Sequence, residues 1–403
     1  MATYRSIIRC IATHFSLAMV AVAGEPSFTY YDIGTLGYPI NTEATDINDF
    51  GVISGFSHRS HADFESAITW ENGVLTDHTD SIPGGWLKFI QGISDKGPMA
   101  GGAAAENEAA LWRDGVGYLL EAPRPCAKTE NLEAINPSGT LAVGTCMEDD
   151  PDANIDIPTL YFVEDGSGLV LGFLPDSPED VEGWAFDVND SGIVVGWFTD
   201  SRAYYWQDGE FTEISVGGYA INNAGLIVGS GIVGATTYDV NTGVEHYLGP
   251  GVAFDINERG SAVGRDIIDF IAVHAMLYEN RQVVDLHELV LGSYLQASRA
   301  KGINNHGWII GYGDDFDGNS RGWLLVPVYA KGDFDGDGDV DLQDSGHFQR
   351  CFAAEPYIDG TLHVGCSVFD FDDDVALDLD DYAAFQSAFT GPTAPNNNPN
   401  GPG

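Results

Sequence analysis

Residues 186–196 read Phe-Asp-Val-Asn-Asp-Ser-Gly-Ile-Val-Val-Gly, and the pattern small-Ile-Asn-x-x-Gly-x-Ile/Val-x-Gly returns along the chain. Its other copies are TDINDFGVISG at Asn48, QGISDKGPMAG at Ser94, EAINPSGTLAVG at Asn136, YAINNAGLIVG at Asn222, FDINERGSAVG at Asn257 and KGINNHGWIIG at Asn304. Seven copies separated by 33 to 53 residues fit units of about four short strands each. The residues up to Asn read as an apolar strand. Asn-x-x-Gly reads as a turn, in which the Asn side chain bonds backbone two residues on and Gly takes positive φ. A second, buried strand follows. A third ends in an aromatic before a turn, as in SAITWENG, AALWRDG, AYYWQDG and HAMLYENR, and VLTDHT, EFTEI or QVVDL supplies a fourth.

A lone four-stranded sheet of this kind cannot bury both faces, so the units must pack around an axis or stack in a line. The last unit ends at RGWLLVPV without a fourth strand, whereas FTYYDIGTLG near the N-terminus looks like a fourth strand with no unit before it. Joining the two closes a ring and removes the open edges. The fold expected is therefore all-β: a seven-bladed β-propeller over residues 24–330, closed by an N-terminal strand, with a linear β-solenoid as the alternative.

The recurrent INxxGxxVG followed by Arg202-Ala203-Tyr204 or His274-Ala275-Met276 resembles the HAF-type extracellular repeat family, named for its His-Ala-Phe tripeptide. Ser66-Ala67-Ile68 and Arg321-Gly322-Trp323 are variants of the same element. The resemblance covers about residues 28–330. Ser94 and Pro98 depart from it in the second copy, and one extra residue between the glycines departs from it in the third. It implies a propeller-like fold on exported proteins and no defined activity.

Repeated residues read first as scaffold. Asn48, Asn136, Asn189, Asn222, Asn257 and Asn304 cap turns, and Trp70, Trp112, Trp206 and Tyr278 pack between blades, in preference to lining a binding face. Three insertions are singular: residues 57–66, 146–158 and 312–322. The first carries His58, His61, Asp63 and Glu65 without a recognised zinc spacing, and reads as a solvated hairpin loop. In the third, Asp315-x-Asp317-x-Asn319 begins like a calcium loop but has Ser320 and Val326 where Gly and the last acid belong. No G-x-S-x-G, H-E-x-x-H or phosphate-binding glycine loop is present.

Residues 331–390 carry a different signal. An EF-hand-type loop places oxygen ligands at positions 1, 3, 5, 7, 9 and 12 and glycine at 6. Counting from Asp333 puts Asp335, Asp337, Asp339, Asp341 and Asp344 at those positions, Gly338 at 6 and Val340 at 8 as an apolar anchor. Position 7 contributes its backbone carbonyl. A second loop has Asp370, Asp372, Asp374, Ala376 through its carbonyl, Asp378 and Asp381, with Leu377 as anchor. Val375 replaces its glycine and strains the turn. The helix-forming DSGHFQRCF and DYAAFQSAF follow. The expectation is Ca²⁺, with one strong and one weaker site.

Two such units with Asp at position 12 resemble the dockerin type I module, a small calcium-folded domain with α-helices. That resemblance implies a cohesin-like protein partner, with partner choice linked to Leu342-Gln343 and Leu379-Asp380, which differ from the common hydroxyl pair. The insert between Cys351 and Cys366 also departs from compact members.

Residues 1–23, with Arg5, Arg9, an apolar run and Ala21-Val22-Ala23, read as a signal peptide, so the chain is expected to be secreted or cell-surface. Cys10 leaves with it, and four cysteines in an exported chain suggest disulfides Cys126–Cys146 and Cys351–Cys366. A net charge of −44 from 17 basic and 61 acidic residues opposes nucleic acid and anionic lipid, and no later segment is apolar enough to span a membrane. The tail, residues 391–403, is polar and rich in Pro and Gly. Function then reads as a non-catalytic exported scaffold, its propeller face offering a glycan or protein site and its C-terminal module an attachment. The alternative is a secreted carbohydrate-active enzyme, a polysaccharide lyase or glycosyl hydrolase, or its accessory subunit.

Overall fold

The computed structural model describes residues 27–36, 41–58, 65–82, 86–103, 108–148, 155–178, 180–268, 272–290, 295–354 and 362–391. The expected signal peptide and nearly all of the polar tail lie outside them, as do His61 and Asp63. Among the described residues, 28 strands form seven four-stranded antiparallel sheets, each a meander. The seventh is completed as the sequence suggests. The strand Phe28–Asp32 pairs with Ser320–Pro327, from Phe28 against Pro327 to Asp32 against Trp323. The ring is therefore a seven-bladed propeller closed by its N-terminal strand, and the solenoid alternative falls.

The innermost strands, which line the axis, are Thr42–Ile47, Leu87–Ile93, Cys126–Ile135, Gly183–Val188, Gly217–Ile221, Val252–Ile256 and Leu295–Ile303. Each runs into its Asn turn. In blade 4, Asn189 Oδ1 accepts from Ser191 N at 3.1 Å and Ile193 N at 3.0 Å, while Gly192 sits at φ 78°. The same asparagine does a second job that the turn reading lacks. Its Nδ2 donates to the Asn222 carbonyl of the next blade at 3.1 Å, and Asn222 to Asn257, Asn257 to Asn304, Asn304 to Asn48 and Asn48 to Ser94 repeat the step. Blade 3 departs: Asn136 Nδ2 turns to Ser138 and Thr140 of its own loop. The asparagine recurs because one amide caps a turn and fastens two blades.

The glycine closing each repeat has a separate cause. A Cβ on Gly196 would strike the Trp184 carbonyl, and one on Gly264 the Val252 carbonyl, because the second strand lies tight against a bulged first strand. Trp70, Trp206 and Tyr278 are buried, and Trp112 meets His78 of blade 1 edge to face at 5.3 Å, so these aromatics pack the scaffold as expected. The disulfides Cys126–Cys146 and Cys351–Cys366 both form. No helix among the described residues is long and apolar enough to cross a membrane.

Two helices follow the propeller, α1 (Leu342–Ala353) and α2 (Leu379–Ala388). Phe348 of α1 stacks on Phe385 of α2 at 4.9 Å, with Phe369 edge-on to both. This small core is continuous with that of the propeller: Phe334, Val340 and Val364 share a buried cluster with Trp308, Ile53 and Trp70. Phe334 lies 5.1 Å from the His306 ring, and the Arg350 guanidinium covers Phe50 at 4.9 Å. The C-terminal unit is docked on blades 1 and 7.

Candidate functional site

The two acidic loops are shaped by the helices they precede. Asp341 is the N-cap of α1 and Asp344 its N3 residue, and each side chain accepts from the other end of a capping box. Asp344 also accepts from Phe334 N at 2.7 Å, which folds the start of the loop back onto the helix. Asp333 accepts from Gly336 N and Gly338 N, so the chain wraps around its carboxylate. As a result Asp333, Asp335 and Asp344 bring oxygens within 4.8 Å of one another, and so do Asp339, Asp341 and Asp344. All five residues are buried. Asp337 stands in neither cluster, and the Asp339 side chain joins one although its carbonyl alone was expected to serve.

Burial and then neighbouring carboxylates raise Asp335 to about 6; burial also raises Asp333 and Asp344. All-oxygen donors crowded in this way suit a hard divalent cation, whose charge would relieve the crowding.

The second loop repeats the construction with Asp378 and Asp381 as the capping box of α2, and Asp381 accepts from Phe371 N at 2.7 Å. Asp370, Asp372 and Asp374 meet within 4.8 Å, but Asp372 and Asp374 are exposed. Asp378, Asp381 and Ala376 are outside that cluster. The Lys331 ammonium sits 2.7 Å from Asp373 Oδ1, adding a positive charge beside the loop. Val375 is at φ 68°, where Gly338 of the first loop has 92°. A β-branched residue there costs about 1–2 kcal/mol, of which the looser unfolded chain returns a part on substitution by glycine. Val375→Gly is accordingly expected to stabilise this loop by about 1 kcal/mol, seen as slower amide exchange over residues 370–381.

A second constellation lies in the propeller's axis, where sequence reading found nothing. Every innermost strand shares one register slip, three residues before the repeat Asn (Ser94 in blade 2): Thr45, Gln91, Glu133, Phe186, Tyr219, Phe254 and Lys301; blades 2, 3 and 7 have further slips nearer the strand start. A bulge residue is released from the ladder and re-aimed, and bulges cluster beside functional sites. Here seven bulges ring one tunnel. Phe186 packs between Trp197 (6.5 Å) and Tyr219 (5.8 Å), and Tyr219 meets Phe254 edge-on at 5.6 Å. Arg265 and Lys301 lie over the Phe254 ring at 5.8 and 5.1 Å. Glu133 of blade 3 and Lys301 of blade 7 influence each other across the axis. Burial raises Glu133 and lowers Lys301, and the opposite charges moderate both shifts. The signal in the sequence was the reverse of a motif: within a repeating strand this one position carries six residue types in seven copies.

Deeper in the tunnel stand Asp46, Asp187 and Asp255, each accepting from the N–H of its own next residue and from one on the following blade. They border a cavity of about 120 Å³ whose floor is the asparagine ring. Half-buried beside this cavity and surrounded by protein, they are shifted chiefly by desolvation. It raises Asp46 to about 7, Asp255 to about 6 and Asp187 well above the usual range. Carboxylates raised above an unfolded value near 4 destabilise the fold increasingly as pH rises through that value, up to about 7. In EDTA the melting temperature is expected to fall between pH 4.5 and 7.5 more steeply in the native protein than in Asp46→Asn/Asp255→Asn.

The singular insertions contribute less. Residues 315–319 form a hairpin turn in which Asp315 Oδ1 accepts from Asp317 N and Asn319 N, both at 2.9 Å. His58 and Glu65 sit opposite each other at the base of the first insertion. Residues 149–154 of the second lie outside the described residues.

No family model matches the chain, and neither does any curated protein. Among solved structures it is similar to a gluconolactonase from Xanthomonas campestris: 11% identity, TM-score 0.40, covering 79% of this chain and 97% of that one. It is similar also to the β-propeller domain of the Trilobed protease from Pyrococcus furiosus: 11% identity, TM-score 0.45, covering 71% and 93%. A prolyl endopeptidase matches at 14% identity and TM-score 0.46, covering 71% of this chain and 50% of its own.

Proposed function

We propose that the protein is an exported binding protein, its propeller a HAF-type interaction platform and residues 331–390 a dockerin-like module that attaches the chain to a cohesin-like partner when loaded with Ca²⁺. The observation that carries this reading is the pairing of two capping boxes with three carboxylate clusters, two in the first loop and one in the second, since each helix holds its loop closed where aspartates meet in threes. Asp333, Asp335, Asp339, Asp341 and Asp344 would hold the first ion, and Asp370, Asp372 and Asp374 a weaker second one. Bound calcium would supply the positive charge that lets these carboxylates crowd together without repulsion. The chain's own part is to keep the loops wrapped and to present the exposed Leu342 and Leu379 beside them, 79% and 72% accessible. The test is binding of the intact protein to a panel of immobilised cohesin domains in calcium and in EDTA. Calcium-dependent capture is expected; equal signals, or none, would sink the attachment role.

A second reading, a carbohydrate-active enzyme, is favoured by Glu43 and Glu133 beside the tunnel's aromatics, both raised by burial. Release of reducing ends or unsaturated products from a polysaccharide by the native protein, and not by Glu133→Gln, would select it.

A further inference from the structure

We infer that the ring of bulge residues at the mouth of the propeller tunnel binds one residue of an uncharged saccharide. The inference rests on the platform reading above and names the ligand class for it. Four features converge on a sugar.

First, aromatic surface is available and uncovered. Trp197 and Tyr219 are 41% and 38% exposed, whereas Trp70, Trp206 and Tyr278 are buried, and with Phe186 and Phe254 they form a continuous wall over blades 4 to 6. Rings that merely plugged the tunnel would be covered. The C–H face of a pyranose stacks on such a wall.

Second, the tunnel offers a donor and an acceptor whose hydrogen-bonding positions are open. Among the described residues, neither Glu133 nor Lys301 makes a hydrogen bond or ion pair, although both are recessed from bulk water and face each other from blades 3 and 7. Unpaired polar groups in such a place are costly unless a ligand meets them. A hydroxyl can donate to Glu133 while another accepts from Lys301.

Third, the charges around Lys301 and Glu43 are matched. Arg265, Arg299 and Lys301 stand against Glu43, Glu133 and Asp314, and Arg299 is bound to Asp314 at 3.0 Å. A charged ligand would upset that balance, and the net charge of −44 repels a polyanion such as a polyuronate.

Fourth, the position is built for variation. Every blade supplies a bulge, and the seven side chains range from Thr to Lys, so one asymmetric site sits on a repeating frame.

The experiment is calorimetric titration of the full chain with cellotetraose, xylotetraose and mannotetraose, with tetragalacturonate as the charged arm. At least one neutral tetramer is expected to bind, and its affinity to fall about tenfold or more in Tyr219→Ala and in Lys301→Met. Should Tyr219→Ala misfold, Glu133→Gln and quenching of Trp197 fluorescence by the bound tetramer give the same answer. Absence of binding at millimolar concentration, binding indifferent to these substitutions, or preference for tetragalacturonate would each overturn the inference. Cohesin binding by the same preparation reads the C-terminal module separately, so loss of the sugar site alone leaves the attachment reading standing.

Discussion

Replacing Asp344 by alanine is expected to unfold the C-terminal unit while the propeller stays intact. The carboxylate is almost completely buried, 1% exposed, and takes part in everything that shapes the first loop. One oxygen accepts from Phe334 N at 2.7 Å, the other from Asp341 N at 2.8 Å, and both carboxylate clusters of that loop include it. Removal strands two buried N–H groups at about 1–3 kcal/mol each, before any loss of a cation. Phe334 is then free to leave His306, His347 and Trp308, and the seam between the unit and blades 1 and 7 opens. Helical circular dichroism should disappear, whereas the β-sheet melting transition should survive. Asp372→Ala, an exposed position in the second loop, should leave the helices folded.

Deleting residues 1–33 should abolish the monomeric propeller altogether. The strand Phe28–Asp32 supplies five paired residues, and Ile33 N adds a bond to the Gly322 carbonyl at 3.1 Å. Phe28 and Ile33 are 8% and 1% exposed, and their burial contributes about 3–6 kcal/mol. That is comparable with the whole stability of a typical domain. The edge left open is the strand Ser320–Pro327, whose Trp323, Leu324 and Leu325 are fully buried in the intact ring. A hydrophobic edge of that kind recruits other chains. Size-exclusion chromatography should show aggregates, and a peptide spanning residues 27–36 added during refolding should restore some monomer.

The scaffold was legible because its requirements repeat. Gly192 must take positive φ, Asn189 must satisfy its turn, and Gly196 must let two backbones approach, so each leaves the same letters seven times over with few departures. The closing strand was legible from a missing partner at each end. The bond that every repeat Asn but Asn136 makes to the next blade was not, because it depends on where the following unit sits. The tunnel site was hidden for a similar reason. Glu133 and Lys301 are 168 residues apart in sequence and influence each other only across the axis, and Phe186, Tyr219 and Phe254 look like ordinary apolar strand residues until a bulge turns them inward. The acidic loops are local, so spacing alone named the eight aspartates that cluster, but it also named Asp337, Ala376, Asp378 and Asp381, which stand outside the clusters. Spacing did not reveal that Asp344 and Asp381 also cap helices, or that the unit rests against the propeller.

The most direct test of the account is calcium titration of the intact protein by calorimetry, beside the same titration of Asp333→Ala and Val375→Gly. Two ions of unequal affinity are expected, with loss of the tighter one in Asp333→Ala and tightening of the weaker one in Val375→Gly. A single weak, salt-sensitive uptake that neither substitution changes would contradict this expectation, and would reduce the paired loops to an acidic surface.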